Sequence, residues 1–230
     1  MFYLDFLAGL HERLAPRTYL EIGVEYGHSL ALSRCRSIGI DPDAHVGQLG
    51  PDTSLVSSTS DDYFAELGRR DRTPFGALPI DLAYIDGMHH FEFVLRDFIG
   101  VERYATRTSV VVFDDIFPRN LDEAARVRHT QAWTGDVFRL PRALKVNRPD
   151  LRQIKVKTEP TGTLLVVRLD PSSRVLTERL DDIVREFVEP DPQPVPAEVF
   201  RRTGAVSARK ALALELWDEL RAARDHDAPD

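Results

Sequence analysis

Tyr19-Leu20-Glu21-Ile22-Gly23-Val24-Glu25-Tyr26-Gly27-His28-Ser29, followed by Ser37-Ile38-Gly39-Ile40-Asp41-Pro42, is the stretch that decides the fold. A short apolar run ends in an acid and opens into a glycine-bearing turn. A second apolar run then ends in another acid, Asp41. This is the layout of a strand, a nucleotide-binding turn, a short helix over about Gly27 to Arg34, and a second strand. Gly23 permits a sharp turn where a Cβ would clash, and Gly27 permits close approach of a ligand or the next helix. Asp41 stands where an acid accepts hydrogen bonds from ribose hydroxyls.

The turn is not the dinucleotide fingerprint, because GxGxxG is absent. A carboxylate at Glu21 would repel a pyrophosphate and suits a cationic ligand. S-adenosylmethionine has a sulfonium, an ammonium and no phosphate. On these residues the chain resembles the class I S-adenosylmethionine-dependent methyltransferases, whose first motif reads acid-x-Gly-x-x-x-Gly, here Glu21, Gly23 and Gly27. The donor site expected from this resemblance comprises Glu21, Gly23, Gly27, Ser29, Asp41 and Asp86. Ser60 and Asp61, after the third strand, are expected near the adenine.

Outward from the motif, the pattern alternates. Phe2, Phe6, Leu7, Leu10 and Leu14 recur at helical spacing ahead of Pro16. Leu55 to Ser58 reads as a weak strand and Asp61 to Arg70 as a helix with Ser60 as its N-cap. Ile80 to Ile85 is a buried-type strand ending at Asp86-Gly87, and His90 to Tyr104 is an amphipathic helix. Ser109 to Phe113 is the strongest strand and ends at Asp114-Asp115. Leu121 to Trp133 and Asp136 to Leu144 look helical. Gln153 to Lys157 and Thr163 to Arg168 flank Pro160-Thr161-Gly162 and read as an antiparallel hairpin, which the methyltransferase resemblance also implies. The expected fold is α/β: a Rossmann-like, doubly wound, mostly parallel seven-stranded sheet closed by that hairpin, with a helical C-terminal extension.

Three regions follow: an N-terminal helix over 1–16, a donor-binding domain over 17–170, and an extension over 171–230. Within the extension, alternating prolines at 190, 192, 194 and 196 predict an extended linker over 190–196. A last helix, Ser207 to Arg224, carries Leu212, Leu216, Trp217 and Leu220. Its apolar face docks on the chain's own core, on a second subunit, or over the site, so a homo-oligomer through the C-terminal helices stays open. The tail Ala223 to Asp230 is expected to be mobile.

In a parallel sheet, ligands bind at the carboxyl ends of the strands. Glu21, Asp41, Asp86 and the Asp114–Asp115 pair should therefore face one crevice. So many carboxylates repel one another unless a cation neutralises them. Ile85-Asp86-Gly87-Met88-His89-His90-Phe91 and Val111-Val112-Phe113-Asp114-Asp115-Ile116 resemble a narrower group, the magnesium-dependent macrolide-sugar and antibiotic-tailoring O-methyltransferases. Their hallmark is an aspartate-glycine-x-histidine-x-aromatic turn with a later aspartate pair. The resemblance implies Asp86, Asp114 and Asp115 as Mg2+ ligands and a small-molecule hydroxyl as acceptor; the catalytic residues are His89, which matches the motif and is the expected general base, and Asp86, with metal-assisted ionisation as the other route for the hydroxyl proton. It spans roughly residues 17 to 145. His90 reads as structural, His28 as a residue of the donor turn, and Trp133 as either a pocket wall or a packed aromatic.

Bulk properties narrow the classes. No apolar run approaches the roughly 20 residues needed to span a bilayer, and Met1-Phe2-Tyr3-Leu4-Asp5 lacks a basic region, so no signal peptide or membrane partner is expected and a cytoplasmic location follows. Cys35 is the only cysteine, which excludes an intrachain disulfide. A net charge of −7 disfavours nucleic acid as a partner. The competing functions are a nucleotide-dependent oxidoreductase, opposed by Glu21 and the missing fingerprint, and a non-catalytic cofactor-binding protein. Methylation of a protein or nucleic acid is a further reading.

Overall fold

The computed structural model describes residues 1–226. Its centre is an eight-stranded sheet in the order β3-β2-β1-β4-β5-β7-β6-β8. The strands are β1 (Thr18–Ile22), β2 (Arg36–Ile40), β3 (Thr53–Val56), β4 (Leu82–Ile85), β5 (Val110–Phe113), β6 (Arg152–Lys157), β7 (Thr163–Val167) and β8 (Val206–Ser207). β3, β2, β1, β4 and β5 run parallel, and β7 returns antiparallel to both β5 and β6. The expected sheet has one strand fewer. β8 pairs with β6 only at Val156↔Val206 and Lys157↔Ser207, and so short a strand has no periodicity to betray it.

Both sheet faces are covered. Leu20, Ile22, Ala83, Ile85, Val111 and Phe113 pack under α3 (Phe91–Glu102), α4 (Leu140–Asn147) and α6 (Leu180–Phe187), with α2 (Ser60–Arg69) against α3. Tyr19, Leu82, Tyr84, Val110 and Val112 face α1 (Tyr3–Leu14) and the C-terminal helices α8 (Ala208–Leu212) and α9 (Leu216–His226). Period-two alternation thus sends Tyr19, Glu21 and Tyr84 to one side of the sheet. α5 (Val175–Glu178) and α7 (Ala197–Phe200) are single turns in the extension.

Several local expectations change. The helix expected over Gly27 to Arg34 is only a 3-10 turn, Leu30–Leu32. Gly27 takes φ +74°, and a Cβ there would lie 2.8 Å from Val46 Cγ1, so the loop packs tightly without a full helix. Leu121 to Trp133 is not helical; its backbone is held by side-chain acceptors such as Asn120 and Asp191 instead. α2 begins at Ser60, capped by Thr59, whose hydroxyl accepts from the Asp62 amide at 3.1 Å. The last helix is broken into α8 and α9 around Ala213 to Glu215. Leu212, Leu216, Trp217 and Leu220 pack on the chain's own core, with Trp217 fully buried. The segment over 188–196 carries no helix or strand. Of the tail expected to be mobile, residues up to His226 are helical and residues 227–230 lie outside the described part.

Candidate functional site

The parallel registers place the strand tips level. Ile22 pairs with Ile40 and with Ile85, and Ile85 with Phe113. The next residues, Gly23, Asp41, Asp86 and Asp114, therefore stand in a row along one edge, with Glu21 one step inside β1. The chain backbone enforces this closeness. Gly23 has φ +83°, and a Cβ there would meet the Asp86 carbonyl oxygen at 2.1 Å, so only glycine fits.

Glu21 is fully buried. It accepts from the Tyr19 hydroxyl at 2.6 Å and the Ser29 hydroxyl at 2.7 Å. Burial pushes its carboxyl up to about 8 despite these bonds, and the nearby Asp86 charge adds to the rise. Ser29 thus serves the site through Glu21. Asp41 holds the turn itself: one oxygen accepts from the Val24 amide at 2.8 Å and the Glu25 amide at 2.9 Å, the other from the Asp43 amide at 2.7 Å. Ser60 donates to the buried Asp97, whose carboxyl burial raises to about 7. Asp61 is paired with Arg96 at 2.9 Å.

At the tips of β4 and β5 the carboxylates separate into two layers. Asp114 turns inward and accepts from the Tyr84 hydroxyl at 2.6 Å. Burial raises its pKa well above the ordinary value, helped by Asp86 and Asp115. Asp86 and Asp115 converge instead on His89. The imidazole lies 3.2 Å from Asp86 through Nε2 and 3.1 Å from Asp115 through Nδ1, and Nδ1 also lies 2.7 Å from the Trp133 carbonyl. Burial opposes a charged ring, but Asp115, Asp86 and that carbonyl together raise it to about 10. Asp115 is itself raised to about 6 by burial, with the His89 charge opposing. His89 therefore carries the local positive charge between two acids.

Donor atoms of Asp86, His89 and Asp115 lie within 4.8 Å of one another. Once the imidazole has given up its proton, the set fits a divalent cation by its chemistry, two hard oxygens and one imidazole. Mg2+ would use the two carboxylates, whereas the imidazole favours a softer ion such as Mn2+ or Zn2+. Asp114, expected among the ligands, stands outside this set and faces Tyr84, because its side chain follows the buried face of β5.

The loop after β5 supports His89. The Trp133 ring stacks on it at 5.2 Å, and the Trp133 Nε1 donates to the Ala125 carbonyl at 2.5 Å. Trp133 is thus a half-buried backing to the histidine. Gly135, with φ +53°, passes so near that a Cβ would overlap the His89 carbonyl oxygen. Buried Asp136 accepts from the Phe91 amide at 2.7 Å and binds Arg126, fixing the start of α3. His90 touches the Arg126 carbonyl at 2.9 Å, a structural contact, and His28 is exposed. Sequence reading missed Tyr84, Asp97 and Tyr3. Alternation with Glu21 marks Tyr84 in retrospect, while Tyr3 is brought in only by the docking of α1. A cavity of about 480 Å³ between α2, α3 and α5, lined in part by Phe64, Arg103 and Leu176, includes none of the strand-tip acids.

The fold is similar to that of known proteins. Residues 20–116 match the family described as "Methyltransferase domain". Among solved structures, the SAH-bound methyltransferase PaMTH1 of Podospora anserina shares 12% identity with a TM-score of 0.53, over 73% of this chain and 78% of that one. The O-methyltransferase TomG of Streptomyces achromogenes, involved in tomaymycin synthesis and solved with SAM, shares 18% identity and a TM-score of 0.51, over 73% and 80%. The O-methyltransferase of Bacillus cereus, in complex with SAH, gives 13% and 0.50, over 72% and 80%. No curated protein matches the chain.

Proposed function

From a class I S-adenosylmethionine-dependent methyltransferase fold, we propose that this chain transfers the methyl group to a hydroxyl of a small molecule. The single observation that carries this reading is the row of acids that the parallel registers set at the strand tips, Glu21, Asp41, Asp86 and Asp114, which suits a cationic ligand better than a phosphate.

In this reading Glu21, with Ser29 and Tyr19 behind it, attracts the positive end of the donor. Gly23 and Gly27 shape the turn against the donor, and Asp41 reaches the ribose from the turn it holds. Ser60 and Asp61 lie on the adenine side. The donor carries an activated methyl group, so the protein must align an oxygen in line with the departing sulfur and exclude water. The hydroxyl proton passes to the Asp86–His89 pair, where Asp86 is the group with accepting capacity while His89 holds its own proton. Asp115 and the Trp133 carbonyl keep the ring in place. A divalent cation held by Asp86 and Asp115, with His89 beside it, would supply charge stabilisation for the developing alkoxide or phenoxide. Asp114 supports from below through Tyr84.

No helix among the described residues is long and apolar enough to cross a membrane, which suits a cytoplasmic enzyme of small-molecule biosynthesis. The C-terminal helices direct their apolar stripe inward, so self-association through them would use their charged face.

The test is a screen of sugar, phenol, polyketide and amino-acid hydroxyls for S-adenosylhomocysteine release, run with and without chelator. Methylation of a hydroxyl supports the reading. Donor binding with no transfer to any acceptor would favour a non-catalytic role, and binding of a nicotinamide dinucleotide in place of the donor would sink it. Loss of turnover on chelation, restored by Mg2+ or Mn2+, would support the cation.

A further inference from the structure

The N-terminal helix lies outside residues 20–116 that match the methyltransferase domain, yet it delivers an aromatic side chain to the acid-lined edge. Residues 1–3 are laced to the β6–β7 turn. The Tyr3 amide donates to the Glu159 carbonyl at 3.0 Å, and the Glu159 amide donates to the Met1 carbonyl at 3.0 Å. So anchored, the Tyr3 ring stacks on Tyr84 with centroids 6.4 Å apart and planes 18° apart, with the Phe2 ring 4.7 Å away and tilted. Tyr84 is the residue whose hydroxyl reaches both Asp114 at 2.6 Å and Asp86 at 3.3 Å. Tyr3 therefore stands against the centre of the acidic row.

Its surroundings are unusual for a phenol. Burial, then Asp86, Asp114, Glu21 and Glu25, push its pKa up to about 12, so it stays neutral. The Tyr19 and Tyr84 hydroxyls are both engaged by carboxylates. The Tyr3 hydroxyl has no hydrogen-bond partner among the described residues, and the side chain is only half-buried. A neutral ring with a free hydroxyl, beside the four acids Asp86, Asp114, Glu21 and Glu25, matches one kind of ligand group. The negative face of an aromatic ring attracts a cation, most strongly where water is excluded. An anion would be repelled there, and an apolar group would leave the acids desolvated without a partner.

We propose that Tyr3 is a donor-contacting residue that recognises the positive charge of the sulfonium, closing from α1 the cationic end of the site that Glu21 and Asp86 begin. The proposal rests on the donor reading above. It assigns the N-terminal helix a part in binding and makes the site prefer the charged donor over the neutral thioether product.

The experiment is calorimetric titration of the full chain with S-adenosylmethionine and with S-adenosylhomocysteine, which differ by the methyl group and the sulfur's charge. Tyr3→Leu should weaken S-adenosylmethionine about tenfold and S-adenosylhomocysteine less than about threefold, while Tyr3→Phe keeps most of the preference. Fluorinated phenylalanine at position 3 preserves shape but drains the ring face, and serves if Tyr3→Leu fails to fold. It should lower S-adenosylmethionine affinity alone. Equal losses for both ligands would reduce Tyr3 to a packing wall and overturn the proposal, as would no loss for either. Failure of the unaltered protein to bind either ligand would instead overturn the donor reading, and this inference with it.

Discussion

Asp81 and Asp86 bracket one strand, β4, and meet opposite surroundings. Below the sheet, Asp81 is 4% exposed and surrounded by cations. It accepts from the Arg17 amide at 2.8 Å and the Arg17 guanidinium at 3.0 Å and 3.2 Å, with Arg224 lying 3.8 Å away. Above the sheet, Asp86 meets Asp114, Asp115 and Glu21, and among the described residues the only basic side chain paired with any of these four is His89. One edge satisfies its charge and holds the fold together. The other crowds acids around one histidine, so burial and neighbouring charge hold protons on Glu21 and Asp114, which costs stability and favours a positive ligand that lets them ionise. The same residue type thus serves structure at one end of a strand and binding at the other, by partner alone.

That contrast is open to direct attack. The largest effect is expected at the upper edge. Asp86→Ala should cut methyl transfer by about a hundredfold or more, measured as S-adenosylhomocysteine release on an acceptor found by the screen, with the melting temperature unchanged or raised. At the lower edge the reverse holds. Asp81→Ala leaves Arg17 and Arg224 without their acid and should cost about 3 kcal/mol in denaturant unfolding, while the folded fraction binds donor normally. If Asp81→Ala instead weakens donor affinity without loss of stability, the division between edges fails.

Proton linkage sharpens the comparison. Glu21, Asp97 and Asp115 have folded values raised to about 8, 7 and 6, so the folded chain holds protons that the unfolded chain releases. Their contribution is fully present below the unfolded carboxylate range and is lost as pH rises through the folded values. His89, raised to about 10, acts in the same direction above its ordinary value. Buried His11, lowered to about 4, opposes this only between about pH 4 and its ordinary value near 6.5. Stability should therefore fall between pH 5 and pH 8, and Glu21→Gln should flatten that slope. A positive donor favours ionised Glu21, so its binding should release protons, seen as buffer-dependent heats in calorimetry. The smallest effect belongs to Asp41→Asn. An amide oxygen can still accept from Val24 and Glu25, so donor affinity should drop about fivefold, roughly 1 kcal/mol, where Asp41→Ala drops it further.

Much of this is legible in the sequence. The strands over 18–22, 36–40, 82–85 and 110–113 announce themselves as short apolar runs closed by acids, because strands buried on both faces need continuous apolar residues. The hairpin and the helix over 91–102 show the same clarity. The loop from Leu121 to Trp133 was misread as helix because its apolar residues fall near helical spacing while its backbone is held by distant side chains, Asp191 among them.

Sequence by itself determined the alternation of strands and helices, the level row of acids that follows from it, and the need for glycine at position 23, since each depends on neighbours in the chain or on the parallel register. Only tertiary structure decided how those acids are used. It turned Asp114 toward Tyr84 and away from the cluster, made His89 the shared cation of Asp86 and Asp115, and brought Tyr3 across from α1. Side-chain direction and burial come from packing between segments far apart in the chain, and no local pattern encodes them.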